Sequence, residues 1–312
     1  MSTFRHQPVL LDEAIDLLNP CRGGIFVDGT LGGGGHSEGI LKLLPPGSRL
    51  IGIDRDTDAL NAAGARLKKY SNKFTGIYGN FFDIKHILRE LDVRMADGIL
   101  LDLGVSSYQL DTAGRGFSYK HEAPLDMRMD KNAPLRASDV VNSYPEQKLE
   151  QIIRDYGEER FARRIAISIA KHRDKEPIET TLQLANIVLS SMPAKAKREP
   201  QHPARRTFQA IRIEVNGELE GLDAALIDAE SLLSSGGVLA VITFHSLEDR
   251  IVKRAFQRME SPCTCDRRAP VCTCGLKPTS KILTRKPILP GQDEIMENPR
   301  SASAKLRAIR KL

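Results

Sequence analysis

The chain has 312 residues, 41% of them hydrophobic and 28% charged, with a formal net charge of +6. That is enough apolar material for a buried core, so wholesale disorder is excluded. No run approaches the ~20 apolar residues of a spanning helix, and the charged N-terminal segment has no signal-peptide core, so a cytoplasmic protein is expected. Over the first hundred residues strand-like and helix-like runs alternate. Residues 24–28, Gly-Ile-Phe-Val-Asp, read as a short buried strand ending in a carboxylate; a glycine loop and a helical stretch at 37–44 follow. A second strand at 49–54 also ends in an acid, 58–70 is helical, 74–78 is a third strand and 84–91 a helix. A fourth strand, 96–102, ends in Asp102. Strands alternating with helices at this spacing predict right-handed βαβ units and a parallel sheet.

The pattern then changes. Residues 110–210 show no convincing strand, but helical runs near 145–156, 158–173 and 179–191. A Pro- and Lys-rich stretch at 192–203 precedes a helical pair near 205–215 and 218–233. The sheet pattern resumes at 237–244, a helix follows at 247–259, and 281–283 with 304–309 suggest a last strand pair. The predicted architecture is α/β, with residues 1–109 and 211–312 forming one domain and 110–210 a helical insertion. From 250 to 312 there are 15 Lys/Arg against 5 Asp/Glu, whereas the rest of the chain is slightly acidic. A basic terminal segment suits a polyanionic partner such as nucleic acid, or is simply a solvated face.

The loop reads Asp28-Gly-Thr-Leu-Gly32-Gly33-Gly34-Gly35-His36. Glycines between a strand and a helix let the backbone approach a ligand. A phosphate-binding loop of the Gly-x-x-x-x-Gly-Lys-Ser/Thr type would need a lysine that is missing here. The choice lies between a dinucleotide and S-adenosylmethionine (SAM). Asp54 could accept bonds from both ribose hydroxyls in either case. Asp28, Asp54 and Asp102 all fall at carboxyl ends of predicted strands, where open α/β sheets bind ligands. Any one of them could be a helix cap, and the glycines a tight turn. Phe81, after the third strand, could stack on an adenine ring or belong to the core.

Cys263, Cys265, Cys272 and Cys274 form two Cys-Thr-Cys-like pairs near the end of a chain whose remaining cysteine, Cys21, stands apart. Four thiolates can hold a structural zinc, though the pairs are tighter than the usual Cys-x2-Cys knuckle. Unpaired thiols and loop disulfides are the other readings.

Longer strings are more specific. Val9-Leu-Leu-Asp-Glu13, the glycine loop through His36, Asp102-Leu-Gly-Val-Ser-Ser107, Arg115-Gly-Phe-Ser118 and Leu125-Asp-Met-Arg-Met-Asp130 occur in that order. Tyr156-Gly-Glu-Glu-Arg-Phe161, His202-Pro-Ala204, Thr207-Phe-Gln-Ala-Ile-Arg212, Phe244-His-Ser-Leu-Glu-Asp-Arg250 and Glu297-Asn-Pro-Arg300 complete the set. Together they resemble the bacterial small-subunit rRNA cytosine-N4 methyltransferase family, also called MraW-type, over nearly the whole chain. The resemblance implies a class I SAM-dependent methyltransferase fold, Rossmann-like with a mostly parallel sheet, and an inserted helical domain that helps hold RNA. It implies N4-methylation of a decoding-site cytosine, position 1402 in the usual rRNA numbering, in 16S rRNA of the small ribosomal subunit. Carried over, the SAM contacts are Gly34, Gly35, His36, Asp54, Phe81, Asp102 and Gln109, with Gly33 added from the loop. Tyr108 departs from the family pattern, where many relatives have Pro before the Gln.

Methyl transfer to N4 is an in-line displacement by a weakly nucleophilic amine, so positioning supplies much of the rate and an acceptor must take the amine proton. Asp102 is the acceptor candidate by position, or only a SAM contact; His245, past the fifth strand, is the other, or a structural histidine. A nicotinamide-dependent oxidoreductase and a non-catalytic RNA-binding protein are the rival functions. A C5-methylating Cys263 is a poor third, because Pro262-Cys263 lies far from strand four. The sequence leaves the oligomeric state open, a homodimer included.

Overall fold

The computed structural model describes residues 8–198, 201–266 and 273–312. They form two compact units: one runs to Gly104 and resumes over Leu219–Leu312, the other is Val105–Glu218. The second unit thus reaches beyond the expected 110–210 at both ends. Val105 and Leu110 pack on its core, and its last helix continues to Asn216.

The first unit opens with helix α1 (Leu11–Leu18), then β1 (Ile25–Asp28), α2 (Gly35–Leu43), β2 (Arg49–Asp54), α3 (Thr57–Arg66), β3 (Phe74–Tyr78), α4 (Ile84–Glu90) and β4 (Ala96–Asp102). The second unit contributes α5 (Ser107–Asp111), α6 (Ala137–Ser143), α7 (Glu146–Asp155), α8 (Ala162–Arg173), α9 (Thr181–Ser191) and α10 (Ala204–Asn216). The first unit resumes with α11 (Leu222–Ser231), β5 (Leu233–Thr243), α12 (Ser246–Glu260), β6 (Ser280–Ile282), α13 (Gln292–Glu297) and β7 (Lys305–Lys311).

The seven strands form one sheet in the order β3-β2-β1-β4-β5-β7-β6. The first five are parallel neighbours, and β7 runs antiparallel to both β5 and β6. This is the Rossmann-like class I methyltransferase arrangement. Side chains alternate across each strand, so Phe26, Leu50, Leu100, Ala240 and Ile242 enter one apolar core with α1 and α2. Their neighbours Val27, Ile51, Ile99, Leu101 and Val241 enter the other, with α4, α11 and α12. Central strands buried on both faces read as continuous apolar runs, which is why they stood out in the sequence. The edge strand β3 has no fully buried position: Phe74 and Ile77 are half-buried, and Thr75, Gly76 and Tyr78 are exposed.

The helical unit has its own core, built from Val140, Leu149, Ile152, Ile165, Leu184 and Phe208 among others. Thr180 caps α9 by accepting the Gln183 N–H, while the Gln183 side chain returns to the Thr180 N–H. No helix among the described residues is long and apolar enough to cross a membrane.

Candidate active site

Parallel strands deliver their last residues to one edge, and three of those residues here are acids. Asp28 pairs in register with Leu100 and Gly52, Asp54 with Tyr78, and Asp102 with Ile242. Asp28 is almost wholly buried. Its carboxylate accepts the Ser37 hydroxyl at 2.7 Å and the Thr30 N–H at 3.2 Å. Burial outweighs these bonds and raises its pKa to about 6.

Asp54 anchors the glycine loop. One oxygen accepts the Gly32 N–H at 2.7 Å and the other the Asp56 N–H at 2.8 Å. Burial raises its pKa, with these two N–H groups opposing. Asp54 is not a helix cap; that task falls to Asp56, which accepts the Asp58 N–H.

Asp102 is held by its backbone, whose N–H donates to the Thr30 hydroxyl at 2.6 Å. Its Oδ2 lies 3.6 Å from His36 Nδ1. Its Oδ1 is buried without a hydrogen-bond partner. Burial first, then repulsion from Asp28 and Glu248, pushes its carboxyl well above the usual range. His36 Nε2 faces the Val9 carbonyl at 2.9 Å. A carbonyl only accepts, so Nε2 carries the hydrogen, and in the neutral ring Nδ1 presents its lone pair toward Asp102.

The four glycines divide by task. Gly34 sits at φ 74° as the N-cap of α2, and its N–H is bonded to the Leu31 carbonyl. A β-carbon on Gly35 would lie 2.5 Å from Pro8 Cγ. Gly32 also has positive φ. Gly33 differs: its φ lies outside the left-handed region, and a β-carbon there would meet nothing within 4 Å. A turn and close packing therefore account for three of the glycines, and Gly33 opens onto space. Phe81 follows β3, half-buried, edge-on to Phe82 at 4.7 Å between ring centres.

Gln109 and His245 each have local partners, and Glu248 beside His245 is one of the carboxylates that repel Asp102. Gln109 lies in the helical unit, buried, where its Oε1 accepts the Ser106 N–H and closes a capping box on α5. His245 is the N-cap of α12: its Nδ1 accepts the Glu248 N–H at 3.4 Å, and Glu248 Oε2 accepts the N–H groups of Phe244 and His245. This gives His245 a local structural task. Thr30, which ties β4 to the loop, was missed; a lone Thr in a loop carries no sequence signal for a bond 72 residues away.

Cys263, Cys265 and Cys274 bring their sulfurs within 4.8 Å of one another, while Cys272 lies outside the described residues. The Thr273 N–H donates to Cys265 Sγ at 3.3 Å and helps lower that thiol to about 6. On the helical unit a cleft gathers Arg160, His202, Arg205 and Arg206. Arg160 lies over the Phe161 ring at 4.7 Å, and Tyr119 stacks on His202 at 4.7 Å. Buried Glu159 accepts the Phe161 N–H and faces Arg206 at 3.9 Å. Burial, with Lys120 adding to it, lowers the pKa of His202. Its Nδ1 accepts the Ala204 N–H, so Nε2 is left to carry the donor hydrogen. On α12, Arg258 pairs with Asp223.

The sequence matches the MraW methylase family over residues 3–312. It is 52% identical over 309 residues to the ribosomal RNA small subunit methyltransferase H of Carboxydothermus hydrogenoformans, covering 99% of this chain and 98% of that one. It is 55% identical over 309 residues to the protein of the same name from Clostridium botulinum (strain Kyoto), covering 99% of each. A solved rRNA methylase from Streptococcus thermophilus superposes with a TM-score of 0.40 at 12% identity, covering 97% of this chain and 93% of that one. On the full-length match, the chain belongs to the MraW methylase family.

Proposed function

We propose that this protein transfers a methyl group from SAM to the exocyclic N4 of a decoding-site cytosine in 16S rRNA of the small ribosomal subunit. One observation carries the reading. Asp28, Asp54 and Asp102, coupled by mutual repulsion, surround a glycine loop that opens at Gly33. A cluster of buried carboxylates suits a ligand bearing positive charge, as the sulfonium and ammonium of SAM do, and repels the pyrophosphate of a dinucleotide. The relatives' name supports small-subunit rRNA as substrate. The choice of N4 and of a decoding-site cytosine is supported by the motif resemblance.

SAM, when bound, supplies an electrophilic methyl group. Asp54, oriented by Gly32 and Asp56, accepts the ribose hydroxyls through lone pairs those N–H groups leave over. Phe81 would lie against the adenine, and the loop at Gly33, Gly34, Gly35 and His36 would hold the rest. Asp102 Oδ1, buried and unpartnered, accepts the amine proton as the N–C bond forms. Asp102 must be ionised to act, and its site favours the protonated form until positive charge enters. His36 Nδ1, fixed by the bond of Nε2 to Val9, faces the same carboxyl and can hold that proton.

The cleft of Arg160, His202, Arg205 and Arg206 holds rRNA phosphates, and the helical unit is in this reading the RNA-recognition domain. Charge-assisted contacts of this kind position RNA without reading its sequence. The test is transfer of a labelled methyl from SAM to small subunits that lack the modification. Incorporation that Asp54→Ala reduces is expected. A folded protein that binds NAD and not SAM in equilibrium dialysis would overturn the reading.

A further inference from the structure

We infer that Cys263, Cys265 and Cys274 bind one zinc ion through their thiolates, forming a metal knuckle in the loop between α12 and β6. The three sulfurs come from both arms of that loop, two from the outgoing arm and one from the returning arm, and lie within 4.8 Å of one another. A tetrahedral ion with Zn–S bonds of ~2.3 Å sets its sulfurs ~3.8 Å apart. Closing the site therefore needs only small side-chain movements. One position of the tetrahedron remains for a further ligand.

Apolar packing does not explain the convergence: Cys263 is exposed, and Cys265 and Cys274 are only half-buried. Nor does a disulfide, since none of the three is in one. The neck of the loop is fixed independently. The Thr279 N–H donates to the Met259 carbonyl at 3.0 Å, the Ile282 N–H to Glu260 Oε1 at 2.8 Å, and the Leu312 N–H to the Thr279 carbonyl at 3.0 Å. The arms are thus brought together before any ion binds, which lowers the ordering cost of coordination. The Thr273 N–H on Cys265 Sγ is the kind of outer-shell bond that orients a ligating sulfur. Zinc suits this donor set because it takes soft thiolates, prefers four ligands and needs no redox partner. The ion would clamp the two arms on the sheet edge, at a distance in sequence from the glycine loop, so its role is to order this segment.

The test uses the full chain, reduced and freed of metal. Cobalt(II) titration reports thiolate ligands directly through a sulfur-to-cobalt charge-transfer band and tetrahedral visible bands. The expected result is one ion per chain, displaced by zinc. Cys265→Ser and Cys274→Ser should each weaken zinc by more than the ~10–100-fold typical of losing an outer-shell partner. Cys21→Ser, with its thiol in another part of the unit, should bind as the wild type does. Zinc should also slow proteolytic cleavage between residues 261 and 279, a readout independent of methyl transfer. Wild-type protein that gives no thiolate charge-transfer band, or a folded Cys265→Ser that binds zinc as tightly as wild type, would overturn the proposal. A reduced, refolded protein that still takes up no zinc or cobalt at these cysteines would do so as well.

Discussion

Gly33→Ala separates cofactor binding from folding. A β-carbon at this position meets no atom within 4 Å, and the backbone there is not left-handed. Alanine should therefore leave stability level or raise it by ~0.4–1 kcal/mol, by narrowing the unfolded ensemble. If SAM lies against this open face, the added methyl intrudes on a close contact. Overpacking of that kind costs ~1–3 kcal/mol, which is about 5- to 150-fold in affinity. Gly35→Ala is the contrasting case: its β-carbon would sit 2.5 Å from Pro8 Cγ, so it should lower the Tm before any ligand is added. Calorimetric titration with SAM, paired with thermal melts followed by circular dichroism, measures both quantities. A Gly33→Ala protein that melts like wild type and also binds SAM as tightly would place the cofactor away from this loop.

Asp54→Ala should weaken SAM by ~10- to 150-fold, from loss of a charge-assisted bond worth ~1.5–3 kcal/mol. It should also lower stability, because Gly32 and Asp56 lose their acceptor; unchanged SAM affinity in a folded variant would exclude the ribose contact. Asp102→Asn should cut the single-turnover rate at saturating SAM by ~10²–10⁴ while altering SAM affinity modestly. Full rate in that variant would pass the acceptor role to His245. Burial raises the Asp28 carboxyl to about 6 in the folded chain, against 3.8 for a free aspartate. The unfolded chain therefore loses its proton first, and stability falls as pH rises between these values, by roughly 3 kcal/mol, then levels off. Urea unfolding from pH 4 to 8 should show Asp28→Asn flattening this part of the profile, and an identical profile would contradict it. Arg205→Ala should weaken rRNA binding uniformly across sequences and reduce the salt slope by ~1; an unchanged slope would take Arg205 out of the phosphate contacts.

The strands were legible because a strand buried on both faces must be apolar throughout, and three of them stop at an acid. Short helices were not. Helices α6 and α13 have seven and six residues, too few to show a period, and such short helices depend on packing for stability. The apolar run predicts β5 from 237, but the strand begins at Leu233 and runs through a shift of register between Ala96 and Gly98 on its neighbour. The two glycines at 236 and 237 hide that start. In the site, the acids could be placed at one edge from sequence, but their partners could not. The bonds from Gly32 to Asp54 and from Asp102 to Thr30 join residues 22 and 72 apart. His245 read as a lone histidine because capping boxes are usually sought behind Ser or Thr; Glu248, three residues on, was the available signal. The glycine run read as one ligand loop, whereas packing against Pro8 and the turn at Gly34 explain most of it.

Nucleoside mass spectrometry of 16S rRNA tests the central claim most directly. Small subunits lacking the modification are incubated with this protein and SAM, the decoding-site fragment is isolated, and its nucleosides are digested and separated. The account predicts N4-methylcytidine in that fragment, with its yield reduced for Asp102→Asn and Asp54→Ala. A methyl group found on another base or another atom of cytosine, or no methylation by a folded protein that binds SAM, would contradict it.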